Sequence, residues 1–163
     1  MAFDATVGGE NSNSYVTIAE ADAFFEMRPQ YEDWEDLEEN KEAWLVLATD
    51  RLEQEKYQGE RTDDDQALSF PRVGVVVDGI EIDNDTIPQG MKRAQMKYAL
   101  ILSGEDNPLS NTGLEGFKRL KVDVIDMEPV EGYKAGSLPS DVQREIQPLL
   151  SGGSGHQFRV FRG

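Results

Sequence analysis

Apolar residues recur every three to four positions in four stretches of this chain, and that spacing predicts four α-helices. The first helix opens with a capping box, in which the Thr17 hydroxyl accepts from the amide of Glu20 and the Glu20 side chain reaches back. Pro88 suits the first turn of the third helix, and Pro148 is expected to kink the fourth. The four predicted helices span about 18–28, 40–56, 88–103 and 139–150.

Two other segments show patterns that are typical of β-strands. Residues 73–82 hold Asp78-Gly79 between two apolar runs, which is a strong hairpin signal. Gly74 lies inside the first run, so we expect an irregular hairpin. Residues 117–127 alternate apolar and charged side chains and are predicted to form a strand.

The connection between the first two predicted helices, residues 32–39, is strongly acidic. Trp34 and Leu37 are its only apolar side chains. The stretch is either an acidic interaction patch or a solvated link between helices, and the pattern leaves both open.

These elements predict a mainly α protein: a compact bundle of about four helices with a small β-hairpin or strand element and extended arms at both ends. Residues 1–13 are small, polar and glycine-rich and form the expected N-terminal arm. Residues 14–150 form the helical domain. Residues 151–163 combine a Gly/Ser linker with a C-terminal tail.

The charge of the chain is strongly negative and unevenly spread. Its 32 acidic and 16 basic residues give a net charge of −16. Residues 1–116 hold 26 acidic and 9 basic residues, hence −17, whereas residues 117–163 hold 6 and 7, hence +1. Because Lys and Arg make the phosphate contacts that dominate nucleic-acid affinity, the first part is expected to repel DNA.

The chain has no cysteine, which excludes disulfides and thiolate chemistry and fits a reducing cytoplasm. No apolar run approaches the length of a membrane span, and the N-terminus lacks the pattern of a signal peptide. We therefore expect a soluble protein, made in the cytoplasm and without membrane contact.

Few residues of the chain suggest catalytic chemistry. The one histidine, His156, lies in the C-terminal tail, which argues against a His-based triad. The carboxylates of Asp63, Asp64 and Asp65 lack the spacing of an EF-hand, so a solvated turn is favoured over a metal site. No nucleotide-binding glycine motif occurs. We expect no enzymatic activity, no metal and no cofactor.

The most informative segment, residues 57–72, runs from the end of a predicted helix through a charged turn to an apolar Leu-Ser-Phe stopped by proline. Its Arg, Gln and apolar side chains are suited to holding a long loop on the helical body, between the second and third helices. Such a loop fits an assembly part better than a catalyst. The residues to which we assign this bracing role are Tyr57, Gly59, Arg61, Gln66, Leu68, Phe70, Pro71 and Arg72.

The C-terminal tail places aromatic and basic residues beyond a glycine hinge. Phe158, Val160 and Phe161 alternate with Arg159 and Arg162 on an otherwise acidic chain. A disordered end is one interpretation. The other is a tethered anchor, since three apolar side chains within four positions are costly to leave in water and arginines suit an acidic receptor.

Several short motifs recur in the order of a known family: Asn13–Phe25, Ala43-Trp44, Ala48–Leu52, Gly59–Arg61, Gln66–Arg72, Ile87-Pro88, Ala94, Tyr98-Ala99, Leu138-Pro139 and Pro148–Leu150. Over about residues 12–150 the chain resembles head–tail connector proteins of tailed bacteriophages. These are adaptor or head-completion proteins, and some carry the label "DnaT-like single-stranded DNA-binding protein".

The resemblance implies a non-enzymatic virion protein, made in the host cytoplasm, that forms a ring of about twelve copies in the neck. The ring would bind the phage portal protein, extend the DNA channel without specific DNA contacts, and dock a downstream tail protein. The tail from His156 onward lies outside the family core. Its portal-binding role is a hypothesis from composition alone.

Two alternatives of other classes stay open. The first is a single-stranded DNA-binding module, which would need a basic groove and stacking aromatics. The second is a metal-dependent hydrolase or nuclease that uses the three aspartates at 63–65. Lys92, Arg93 and Lys97 on the third helix could contact DNA, although ion pairs with acids of a neighbouring subunit are favoured.

Overall fold

The computed structural model describes residues 2–104 and 138–152. Within those ranges the protein is helix-rich with two small antiparallel strand pairs, which confirms the predicted mainly α class. Two short 3-10 segments, Glu38–Asn40 and Gln147–Leu149, supplement the α-helices. The α-helices are α1 (Ile18–Glu26), α2 (Tyr31–Glu35), α3 (Lys41–Leu52), α4 (Gln89–Ser103) and α5 (Ser140–Ile146).

The capping box is present at the start of α1. Thr17 Oγ1 accepts from the amide of Glu20 at 3.2 Å, and the Glu20 carboxylate accepts from the amide of Thr17 at 2.8 Å. The helix ends at Glu26, two residues before the predicted boundary. Its inner face carries Phe25, which stacks on Trp34 with ring centroids 4.7 Å apart.

The acidic connection contains the short helix α2, which the sequence pattern did not predict. Trp34 is fully buried, and its Nε1 donates to Asp22 at 2.8 Å. Lys41 also donates to Asp22, at 2.9 Å. The segment is therefore tied to the body at its tryptophan while its acidic side chains stay exposed.

The core lies where α3 packs against α4 and α4 packs against α5. A Cβ on Gly90 would lie only 2.5 Å from the carbonyl oxygen of Glu145, so a glycine allows the close approach of α4 and α5. Leu45, Ala48 and Leu52 of α3 are fully buried in this core, whereas Trp44 is only half-buried.

The β elements are short. Strand β1 (Glu60–Arg61) pairs antiparallel with β2 (Arg72–Val73), and β3 (Val76–Val77) pairs antiparallel with β4 (Ile80–Glu81). The hairpin predicted over 73–82 begins later in the structure than the sequence indicated. Val73 pairs with Glu60, and Gly74, at φ 81°, separates the two pairs.

The turn of the remaining hairpin is the predicted one. Asp78 and Gly79 both have positive φ, at 52° and 78°. A two-residue turn with positive φ at both positions matches the twist of the flanking strands, which explains the Asp-Gly pair.

The last described segment runs along the loop that follows α3. Helix α5 ends at Ile146 and the chain continues as a 3-10 turn through Pro148. The predicted strand at 117–127, most of the Gly/Ser linker and the C-terminal tail lie outside the described residues. No helix in the described ranges is long and apolar enough to cross a membrane.

Candidate functional site

The eight residues assigned a bracing role all lie in one continuous segment. We call residues 57–73 the braced loop. It leaves the end of α3, passes through β1, and returns to β2 after a turn that contains Asp63–Asp65. Its function in assembly stays a prediction, but its contacts show how the segment is held on the helical body.

Gln66 lies at the centre of the braced loop and is almost fully buried. Its Nε2 donates to the carbonyl oxygens of Leu68 at 2.7 Å and Pro71 at 3.0 Å. Its Oε1 accepts from the amide of Asp63 at 3.0 Å. One side chain thus replaces three backbone partners that a loop cannot supply for itself.

Arg72 joins the two ends of the braced loop. Its Nε donates to the carbonyl oxygen of Gln58 at 2.6 Å, and its Nη2 donates to that of Gly59 at 2.6 Å. Its Nη1 donates to the carbonyl oxygen of Ser69 at 3.2 Å, while the guanidinium lies 6.0 Å from the Phe70 ring centroid. The planar fork suits this task, which a lysine could not perform.

Gly59 is required by the backbone at the same place. Its φ is 68°, and a Cβ there would lie 2.0 Å from the carbonyl oxygen of Val73. Arg61, which lies in β1 opposite Arg72 of β2, donates from Nη1 to the carbonyl oxygen of Gln66 at 3.3 Å. The charged turn is therefore held by side chains at both ends.

The apolar end of the braced loop is inserted into the core. Phe70 is buried, and its ring meets Tyr57 edge-on at 5.0 Å and Tyr15 at 6.3 Å. The Tyr57 hydroxyl donates to the carbonyl oxygen of Leu52 at 2.6 Å. Burial, with a smaller effect from Glu53, raises the pKa of Tyr57.

Glu53, just after α3, connects three parts of the chain that are distant in sequence. Its carboxylate accepts from the amide of Ser69 at 2.8 Å and from the Ser69 hydroxyl at 2.9 Å. It also accepts from the Tyr15 hydroxyl. Burial first, and then the charge of Glu53, raises the pKa of Tyr15 well above its usual value. Sequence reasoning missed this junction, because an acid after a helix resembles any solvated glutamate.

The N-terminal segment lies against the braced loop. The amide of Ala67 donates to the carbonyl oxygen of Gly9 at 3.0 Å. Behind it, the buried Gln95 of α4 accepts from the amide of Tyr15 at 2.9 Å and donates to the Ser14 hydroxyl at 2.7 Å. The loop is thus covered on one side by the chain that precedes α1.

The basic residues of α4 are engaged within the same chain. Lys92 pairs with Glu20 at 2.6 Å. Arg93 and Lys97 both pair with Glu145, at 3.2 and 2.7 Å. These bases therefore have acid partners within the chain, because α4 packs beside α5 and the start of α1, which supply the acids, and ion pairs with a neighbouring subunit stay a prediction.

Aromatic rings in the described part of the chain lie mostly in the core. Among the six buried rings, those of Tyr57 and Phe70 hold the braced loop. Tyr31, at 40% exposure, is the aromatic residue that reaches solvent most among the described residues. The buried rings are Tyr15, Phe25, Trp34, Tyr57, Phe70 and Tyr98.

The remaining candidates give no concentrated site. Asp63, Asp64 and Asp65 are exposed, and residues 2–104 and 138–152 contain no group of three or more His, Cys, Asp or Glu that could hold a metal ion. Every buried side-chain nitrogen or oxygen in those ranges has a hydrogen-bond partner. His156 and the tail residues Phe158–Arg162 lie outside the described residues.

A family model described as "Putative DnaT-like ssDNA binding protein" matches residues 1–163. The chain therefore belongs to that family. No curated protein and no solved structure matches it. The family description names single-stranded DNA, which corresponds to the first alternative left open by the sequence, and does not name a phage adaptor.

Proposed function

We propose that this member of the DnaT-like family is a non-enzymatic assembly protein, a head–tail adaptor that forms a ring beneath the portal of a tailed phage. The observation that supports it is the braced loop. The buried side chain of Gln66 is directed at the loop's own backbone, other polar groups of the loop bond to Leu52, Glu53 and Gly9, and Phe70 fills the core. A segment built in this way positions neighbouring elements and keeps no polar group in reserve for a reacting ligand.

The charge of the body supports the same role. The described residues include 25 acidic and 10 basic residues, a net charge of −15. Three of those bases, on α4, are paired with acids. A channel lined by such a surface repels phosphates, so DNA would pass through it without adhering.

Single-stranded DNA binding is the second candidate, and the family description favours it over the adaptor role. Such binding combines a basic groove with aromatic side chains on which bases stack. Neither is assembled in the described ranges, where the α4 bases are paired and six aromatic rings are buried. The comparison and the geometry therefore point in different directions, and binding measurements decide between them.

Two measurements separate the candidates. Fluorescence anisotropy with a labelled oligonucleotide over a salt series reports phosphate contacts, because affinity falls steeply with salt for each phosphate neutralised. Mass photometry of the protein with the portal reports ring attachment. The adaptor proposal expects portal-bound rings and no salt-dependent DNA affinity. Tight, salt-sensitive DNA binding without portal attachment would replace it with the second candidate.

A further inference from the structure

The hairpin that follows the braced loop presents apolar side chains to solvent. We call residues 74–85 the outer hairpin. Ile80 is 69% exposed, and Val73, just before the hairpin in β2, is 43% exposed, both unusual for large aliphatic side chains. In the described ranges β3 and β4 pair only with each other, and the Val76 amide on the β3 edge donates to Gln58 Oε1, so the edge without a partner is that of β4. An unpaired edge of this kind accepts an added strand.

The outer hairpin is also acidic, and no basic residue lies beside its acids in the sequence. No Lys or Arg occurs between residues 73 and 91. A ligand that covers the exposed Ile80 would therefore bind more tightly if it carried basic residues beside its apolar ones. The acidic residues of this segment, all exposed, are Asp78, Glu81, Asp83 and Asp85.

The chain carries a segment of matching chemistry just beyond its described end. Residues 153–163 contain no acid, and Arg159 and Arg162 are interleaved with three apolar side chains. In an extended chain Phe158 and Val160 would share one face and Arg159 and Phe161 the other, so both faces would offer apolar contact. The five residues 153–157 can span at most about 17 Å, so the tail can act only close to the point where it leaves the body.

That point is set by Gln58. Its Nε2 donates to the carbonyl oxygen of Pro148 at 2.6 Å, and its Oε1 accepts from the amide of Val76 in β3 at 3.3 Å. Three positions after Pro148, the amide of Ser151 donates to the carbonyl oxygen of Lys56 at 2.9 Å. The tail therefore leaves on the β3 side of the hairpin, whereas the exposed Ile80 lies on β4.

We propose that residues 156–162 of one copy bind the outer hairpin of the neighbouring copy as an added strand. A tail that leaves one copy and a receptor strand edge on the next copy form a head-to-tail interface, the kind from which closed rings are built. This inference rests on the proposed ring and changes one part of it. The tail, which composition alone assigned to the portal, joins adjacent copies instead.

A labelled peptide of residues 153–163 tests the interface by fluorescence anisotropy on the chain that lacks residues 156–163, whose outer hairpin no neighbouring tail can occupy. It should bind that chain and the same chain with the matched control change Met27→Glu, at a residue that is 86% exposed and caps the C-terminus of α1. Ile80→Glu should weaken binding about tenfold or more, as should Glu at both arginine positions of the peptide. Added salt should weaken it as well. Equal binding to the Ile80→Glu chain, or none at millimolar peptide, overturns the proposal.

Complementation tests the same interface between whole chains. A chain that lacks residues 156–163 keeps its hairpin, and the Ile80→Glu chain keeps its tail. Sedimentation velocity should show each as a monomer and their equimolar mixture as heterodimers that grow no further. Association of the tail-deleted chain with itself would overturn the interface. Portal-bound rings of the tail-deleted chain would do so too, while leaving the adaptor function in place.

Loss of the adaptor function has a separate signature. If the full-length protein forms no complex with the portal while the peptide still binds the outer hairpin, the proposed function fails and the interface between copies stands.

Discussion

Replacing Gln66 by alanine removes the central contact of the braced loop. The change breaks two hydrogen bonds to the carbonyl oxygens of Leu68 and Pro71 and one from the amide of Asp63. The two carbonyl bonds are buried, so water cannot replace the lost donor without opening the loop.

The expected size of the effect follows from those three bonds. Each contributes about 1 kcal/mol net, and a buried group left without a partner costs about 1–3 kcal/mol, so the free energy of unfolding should fall by about 2–4 kcal/mol. For a domain of this size 1 kcal/mol corresponds to a shift of roughly 2–4 °C. The melting temperature of Gln66→Ala should therefore drop by roughly 4–16 °C.

Circular dichroism melting with hydrogen exchange over residues 57–73 measures both the size and the place of the change. Gln54→Ala is the matched control, because Gln54 is exposed and should shift stability by less than about 0.5 kcal/mol. Gln66→Glu adds a second test. Its carboxylate would face the two carbonyl oxygens, so its deficit should shrink in acid, where the protonated form can donate. A melting temperature of Gln66→Ala equal to that of the control would refute the bracing argument.

Three further outcomes follow from single contacts. Gly59→Ala should lower the urea midpoint by an amount equivalent to at least about 1 kcal/mol, since its φ is 68° and its Cβ would meet backbone; an unchanged midpoint would show that the loop can shift. The raised pKa of Tyr15 contributes stability that is present below the unfolded-state value of about 10 and is lost as pH rises beyond it. Tyr15→Phe should reduce the fall in stability with rising alkaline pH. An unchanged fall would show that another group causes it. Burial alone would raise the pKa of Asp22, but hydrogen bonds from Trp34 and Lys41 outweigh it and lower the pKa. The stability that Asp22 contributes is therefore present above the unfolded-state pKa of 3.8 and is lost as pH falls through the lower folded-state pKa. Asp22→Asn should reduce the change of the urea midpoint with pH over that acid range.

Local patterns identified the elements whose cause is local. The capping box at Thr17 and the Asp78-Gly79 turn each depend on residues within four positions, and both are present as predicted. The end of α1 was placed two residues too far along, because fraying and packing decide where a helix stops.

The features that sequence reasoning missed depend on contacts between distant residues. Trp34 makes α2 part of the body by stacking on Phe25, and an acidic stretch read alone gives no sign of that partner. The Glu53 junction needs Tyr15 and Ser69, which lie 38 and 16 positions away. The α4 bases were assigned to another subunit because periodicity shows which face they occupy and not which helix supplies their acids.

The distribution of charge indicates which part of this acidic chain could bind DNA. The α4 bases have intramolecular acids beside them, so contact with phosphate would require those pairs to break. The segment 117–163, by contrast, carries a net charge of +1, and Phe117-Lys-Arg-Leu-Lys121 places three bases within four positions. Any DNA affinity should therefore come from this segment, and its salt dependence should correspond to a few phosphates. Affinity that survives charge reversal at 118–121 but is lost on reversal of Lys92 and Lys97 would mean that the α4 pairs open, and the acidic-channel argument would then fail.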